Sequence, residues 1–347
     1  TRGWQHAVDS GKLVGPHVLT CGSPLDGRDS GDPKLPVIVV KTAADARRDY
    51  DLLESEHVDF IKVLSSVPEE AYIALMDRAR KWGLPVVGHV PSSITVSQAV
   101  QWRQRSMEHL MGMILAGSPE EMKIRRELLD AAAHQDAHKT FELYAHAMDT
   151  FDWNRAGDLF TQMKLYDAWQ TPTLTMWRRA LVLDGDGMVK NPELKRIPKA
   201  IRADWKDPRP DAEKQSPAER EFVKRQYDLY QEIVFRMQGA GVPLLAGTDT
   251  GDPWSYPGEE LHEELELMVK AGLKPVEALR TATINPARFL DGDDLGRIAP
   301  GYVADLVLLD GNPLEDIRNT RRIAAVVSEG HYLSRATLNS MVAAMNR

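Results

Sequence analysis

Apolar, β-branched runs recur along this chain at residues 17–21, 58–64, 85–90, 106–110, 171–176 and 243–249, with helix-period stretches between several of them. Thr42 caps a helical segment over 43–54. Val67-Pro68-Glu69-Glu70 opens another that runs to Trp82 and stops at Gly83, and residues 97–105 fit a short third. Strand, helix, strand at a repeat of about 30 residues marks βαβ units, whose strands pair in parallel. Two connections are far longer, 112–170 and 177–237, the second broken by Pro192, Pro198, Pro208, Pro210 and Pro217. Connections of that length after barrel strands usually fold as lids over a site. Past Pro286 the pattern changes to two β runs separated by Pro300-Gly301, Gly311-Asn312-Pro313 and a hairpin-like Glu329-Gly330, with a helix from Thr337.

Several runs end in residues able to do chemistry. Lys62 lies in "VDFIKVL", His89 follows "VVG", His109 follows "SME", and Asp249 ends "LLAGTD". The first three lie 27 and 20 residues apart, about one βα unit each. In a parallel barrel, groups one unit apart stand side by side at the C-terminal rim, where barrel active sites form. Singly, each has an ordinary reading. A lone histidine at a strand end is commonly a satisfied core residue. An aspartate after a strand can accept backbone N–H bonds in an Asx turn. Lys62 shares a strand face with Val58, Phe60 and Leu64, so desolvation should lower its pKa and favour a reactive neutral amine. Alternatively its stem packs while the ammonium snorkels to water or pairs with Glu69 or Glu70.

Composition bounds the partners. The 347 residues are 43% hydrophobic, enough for one large core or a core plus an appendage. A net charge of −8 with no basic stripe argues against nucleic acid, and no apolar stretch approaches the roughly 20 residues of a membrane span. A small-molecule substrate is the expected partner, with self-association possible and the compartment undetermined. Cys21 is the one cysteine, which excludes an intramolecular disulfide and a thiolate zinc cage.

Together, "FIKV", "GHVP", "SMEHL", "AGTDTG", "ELHEELELMVKAGLKPVEALRTATINPARFL" and "GRIAPGYVADLVLLDGNPLEDIRNTRRIAAVV" resemble the amidohydrolase superfamily, in its imidazolonepropionase-related and Xaa-Pro-dipeptidase-like branch. The resemblance implies a distorted (β/α)8 TIM barrel, about six strands of it present over 1–290, with a small C-terminal β-sandwich portion over 291–347. It implies two divalent metals, zinc by preference, bridged by a carboxylated Lys62. His89 and His109 would hold the second metal, and Asp249 would touch the first and serve as catalytic base. Such a centre hydrolyses C–N bonds of small amides or dipeptides, and its ligands would equally suit a phosphoester or lactone. His262, opening the last barrel helix, and Trp177, just past the 171–176 run, are further candidates for substrate contact.

One departure stands out. The superfamily's strand-one His-x-His pair is absent: no two of the ten histidines are separated by a single residue. With Thr1 in place of Met, this leads to the expectation that the first two strands and that pair lie upstream. The competing reading is an inactive barrel fragment without first-metal ligands. His134 and His138, i and i+4 in "AAAHQDAHKTF", are expected on a surface helix.

Overall fold

Thr42 carries both halves of a capping box: its hydroxyl accepts from Asp45 N–H, and the Asp45 carboxylate accepts from Thr42 N–H. The helix it opens, α1 (Ala43–Ser55), buries Ala46, Asp49, Tyr50 and Leu53. Helix α2 (Glu69–Trp82) begins after Pro68 and ends at Gly83, where φ is 91°. Helix α3 (Val96–Gln101) starts from a Thr95/Gln98 capping box. The first two match the segments expected from Thr42 and from Pro68 and Gly83, whereas the third, expected over 97–105, ends at Gln101.

This computed structural model describes residues 2–32 and 35–345. The chain divides into two compact units, Thr1–Gln170 with Ala240–Val242 and Thr171–Gly239 with Pro243–Arg347, so the boundary expected at 290/291 falls inside the second. In the first unit, β1 (Leu25–Asp26), β2 (Ile38–Val39), β3 (Ile61–Val63) and β4 (Val86–Gly88) form a parallel sheet of order β2-β1-β3-β4. Strand β5 (Ser106–Glu108) follows α3, and β6 (Trp169–Thr171) begins beside it, with Trp169 N–H donating to Arg105 O. Helices α1 and α2 pack together, their inner faces supplying Tyr50, Leu53, Tyr72, Leu75 and Met76 to a core with Leu25, Ile61 and Val63. The 112–170 connection folds as four helices, Met113–Gly117, Glu121–Ala133, Ala137–Asp149 and Trp153–Leu165.

Among the described residues the α/β alternation is therefore present, with one four-stranded parallel sheet and a second pairing of β5 with β6. Three expected strands differ for identifiable reasons. Residues 17–21 form no strand, because Thr20 N–H donates to the Asp59 carboxylate (2.7 Å) and Thr20 O accepts from Asp59 N–H. The run 171–176 stops at Thr171: Pro172 offers no donor, Thr173 is left-handed (φ 52°), and α4 (Leu174–Ala180) begins at once. Residues 243–249 run without a strand because Pro243 opens them and their polar groups bond elsewhere. Ala246 N–H donates to Thr281 O, and Leu244 O accepts from Asn285 (2.8 Å). Conversely, β1 and β2 arise where no strand was expected, each two residues long.

The second unit contains the 177–237 connection, a series of short helices leading to the long helix Pro217–Ala240, followed by α5 (Glu259–Lys270). Near its end β7 (Leu306–Leu309), β8 (Ile323–Ser328) and β9 (His331–Ser334) form an antiparallel sheet. Glu329 (φ 48°) and Gly330 (φ 81°) make the two-residue hairpin turn, both left-handed as a type I′ turn requires. Helix Arg335–Met345 closes the chain. Among the described residues no helix is long and apolar enough to cross a membrane.

Gly88 sets the tightest limit on the parallel sheet. Its φ is 114°, and a Cβ there would meet Val63 O at 2.4 Å and Lys62 Cγ at 3.1 Å. Replacement Gly88→Ala should lower unfolding free energy by at least about 2 kcal/mol, from backbone strain plus the clash. Denaturant unfolding checks this, with an unchanged midpoint as the contrary result.

Candidate functional site

The strand ends of the first unit bring three of the expected residues together. Lys62 sits mid-strand in β3, and its face is the more open one, because Ile61 and Val63 on the other side are fully buried. Its Nζ donates to Glu108 Oε2 at 2.7 Å, with 24% of the side chain still exposed. The partner is Glu108 at the end of β5, rather than Glu69 or Glu70, so the strand face is less desolvated than its apolar neighbours implied. Glu108 Oε2 also lies 3.7 Å from His109 Nε2. His109 is buried and left-handed (φ 62°), as is Leu110 (φ 54°). The strand therefore ends at Glu108, and the chain turns sharply beneath the imidazole. Positive φ at two non-glycine residues is a strained arrangement of the kind that collects at functional sites.

His89 follows β4, its N–H donating to Val63 O. Its ring stands edge-on to His109, with centroids 5.0 Å apart and an interplanar angle of 82°. Ser65 Oγ lies 2.7 Å from His89 Nδ1 and donates to Met111 Sδ at 3.5 Å. With the hydroxyl proton directed at the sulfur, Ser65 accepts from Nδ1–H, leaving Nε2 as the basic nitrogen. Desolvation above all, then the neighbouring His109 and Lys62, hold the imidazole down at about 3, so it is neutral at ordinary pH. Cys21 shares this neighbourhood: burial pushes its thiol up, opposed by the charge of Lys62.

Beneath these residues lies a support that the sequence did not reveal. Gln104, 1% exposed, shares its Nε2 among Gly88 O (3.2 Å), His89 O (3.1 Å) and Ser106 O (3.0 Å), and its Oε1 accepts from Tyr72 OH (2.8 Å). One amide thus ties the end of β4, the start of β5 and α2 together.

The other three expected residues belong to the second unit. Asp249 is exposed and left-handed (φ 52°), and among the described residues nothing donates to its carboxylate, which removes the Asx-turn alternative. Its backbone is held instead: Asp249 O accepts from Arg179 (3.2 Å), whose other nitrogen pairs with Glu260 (2.5 Å). Thr250 Oγ1 donates to the same Glu260 (2.8 Å). Gly247 sits tight against Thr171, whose Cγ2 would lie 2.4 Å from an added Cβ. Trp177 and His262, the two candidates for substrate contact, each meet a neighbour within this unit. Trp177 packs on Tyr230 at 4.7 Å between centroids, and His262 Nδ1 lies 3.0 Å from Thr320 Oγ1, joining α5 to the turn at Ile317–Arg321. Both side chains are engaged in packing. His134 and His138 are exposed, as expected, but they do not share a helix: His134 is the C-cap of Glu121–Ala133, and His138 lies in the first turn of Ala137–Asp149 beyond a break at Gln135 (φ 55°).

The donor chemistry fits a divalent cation in part. His89 and His109 are close imidazoles of the type zinc takes, whereas a third donor at Lys62 requires the carbamate form in place of the ion pair with Glu108. Among the described residues no group of three or more His, Cys, Asp and Glu side chains is gathered for a metal.

Residues 235–333 match the model of the amidohydrolase family. Curated relatives include an adenine deaminase of Methanothrix thermoacetophila, 35% identical over 92 residues, and an ochratoxinase of Aspergillus niger, 38% identical over 82. These alignments span 26% and 23% of this chain but only 15% and 16% of those proteins. Among solved structures, a bottromycin amidohydrolase superposes with a TM-score of 0.76 at 23% identity, over 99% of this chain and 71% of that one. A Xaa-Pro dipeptidase with bound methionine gives 0.62 at 18%, over 96% and 72%. The family match is confined to residues 235–333 of the 347. Of the expected site residues, Asp249 and His262 fall within that matched segment, and Lys62, His89, His109 and Trp177 lie outside it.

Behind the Asp249 loop, Glu264 is fully buried and accepts from Leu174 N–H (3.0 Å) and Thr175 N–H (2.8 Å) at the start of α4. Burial outweighs those two bonds and pushes the carboxyl from 4.5 up to about 7. A raised folded-state value means that its stabilising contribution is complete below pH 4.5 and is lost as pH rises through about 7. The unfolding free energy of the wild type minus that of Glu264→Gln should therefore fall across this window, as measured by urea titrations at several pH values. A difference independent of pH would show that the carboxyl stays ionised throughout.

Proposed function

We propose that this chain is part of an amidohydrolase that cleaves a C–N bond of a small amide or peptide-like substrate with the help of a divalent cation, zinc by donor chemistry. The observation that carries this reading is the pair His89 and His109 at adjacent strand ends, 5.0 Å apart, with Lys62 beside them. The bond type is supported by the relatives' names, which are a deaminase, an amidohydrolase and a dipeptidase. His89 and His109 would hold the cation, with Lys62 as a carbamate completing the donor set. A cation there supplies Lewis acidity, polarising a carbonyl and lowering the pKa of water. Asp249, exposed and without a hydrogen-bond donor on its carboxylate, would take a proton from water and return it to the leaving amine.

A second reading, a barrel-derived protein without catalysis, is favoured by one observation: Lys62 is paired as an ammonium with Glu108. Metal content separates the two. His89→Ala should abolish most zinc binding, measured by elemental analysis after dialysis, while circular dichroism stays unchanged. Lys62→Ala should remove turnover, and short carboxylic acids should restore part of it by replacing the carbamate. Wild-type protein that takes up no zinc, or a Lys62→Ala variant with full activity, favours the second reading.

Asp249→Asn should lower kcat by about 10²–10⁴-fold, the usual worth of a positioned acid–base group, with zinc content unchanged. A variant with normal kcat against amide substrates assigns the proton transfer elsewhere.

A further inference from the structure

Directly after Asp249 the chain borders a cavity of about 450 Å³ within the second unit, where Thr250 and Gly251 form part of the wall. That size lies in the range of small-molecule pockets, roughly 300–1,000 Å³. The remaining wall is largely apolar: Ile197, Pro198, Ile201, Trp205, Pro257 and Val342. Ile201 is 55% exposed although it is a large aliphatic residue. The polar groups around the cavity are already engaged within the protein. Arg196 pairs with Glu193, and Ser255 Oγ accepts from Gly251 N–H (3.1 Å) while donating to Asp252 O (2.6 Å). An incoming group therefore meets no charge that needs a counter-charge.

The walls are also held in place. Trp205 lies 5.4 Å from Trp254 between ring centroids, and Trp254 Nε1 donates to Lys206 O at 2.9 Å, linking the insertion to the loop after Asp249. Trp205, Pro198 and Pro257 present stiff, flat surfaces. A planar ring gains offset or edge contacts on such surfaces and has few rotors to immobilise, whereas a flexible alkyl chain must be ordered to fill the same space.

We infer that this cavity binds an uncharged aromatic group and so makes the chain prefer small amides that carry an aromatic side chain. The inference rests on the proposed function only for the amide class of that ligand. The binding preference itself belongs to the cavity.

The test is calorimetric titration of the full chain, with and without added zinc, using N-acetylphenylalanine amide, N-acetylglycine amide and N-octanoylglycine amide. The aromatic ligand should bind at least about tenfold more tightly than the glycine ligand, a modest demand on an apolar pocket. It should also bind more tightly than the octanoyl compound. Ile201→Trp, which narrows the cavity at an exposed position, should weaken the aromatic ligand about tenfold with the thermal midpoint unchanged. Trp205→Ala provides a second variant and should reduce the preference in the same direction. Equal affinities for all three ligands, or an unaltered preference in both variants, overturns the assignment. Stronger binding of the octanoyl compound replaces the aromatic group by an acyl chain and overturns it as stated. If hydrolysis and zinc binding fail while the aromatic preference holds, the proposed function falls and the cavity assignment stands. Zinc-dependent hydrolysis with no preference gives the reverse.

Discussion

The buried side-chain amide of Gln104 holds together the end of β4 and the start of β5, the strands that lead to His89 and His109. Carbonyls at a strand end have no ladder partner, and burying them without a donor is costly. Gln104 supplies that donor to Gly88, His89 and Ser106 at once, and Tyr72 satisfies its own oxygen. Burial pushes the Tyr72 phenol up, so it remains a donor. With the backbone of β4 and β5 fixed, the positions of His89, Glu108 and His109 follow. The left-handed turn at His109 and Leu110 is tolerated because its surroundings are already determined.

The second unit holds its own site residue by a different means. Asp249 keeps an open carboxylate because its main chain is secured by Arg179, and Arg179 is in turn oriented by the buried Glu260. Glu264, one turn further along α5, caps the two leading N–H groups of α4. One face of one helix thus carries the carboxylates that set both the loop after Gly247 and the helix that bears Arg179. Buried charges in such a set are interdependent, since removing one leaves its partner desolvated and unpaired.

Local signals in the sequence were sufficient for much of this. The capping boxes at Thr42 and Thr95, the stop at Gly83 and the left-handed pair Glu329-Gly330 act within a few residues, so each is legible without tertiary context. His89 and His109 were legible as site candidates because both directly follow short apolar strands. Gln104 and Glu108 carried no comparable signal. A glutamine after a short helix and a glutamate before a histidine look like surface residues until their distant partners are known. Trp177 and His262 show the converse: a residue type suited to a pocket says nothing about which neighbour it will meet, here Tyr230 and Thr320.

The sequence by itself determined the α/β alternation, the limits of the two helices over 43–55 and 69–82, and which strands carry imidazole or amine. Tertiary structure alone decided whether an apolar run became a strand. Thr20 turned to Asp59, Ala246 to Thr281, and Thr173 bent left-handed into a helix capped by Glu264. A backbone N–H takes whichever acceptor the fold brings to it, and these acceptors stand 39, 35 and about 90 residues away along the chain. The partner of Lys62 belongs to the same class, because the side chain that meets it, Glu108, is 46 residues distant in sequence and 2.7 Å distant in space.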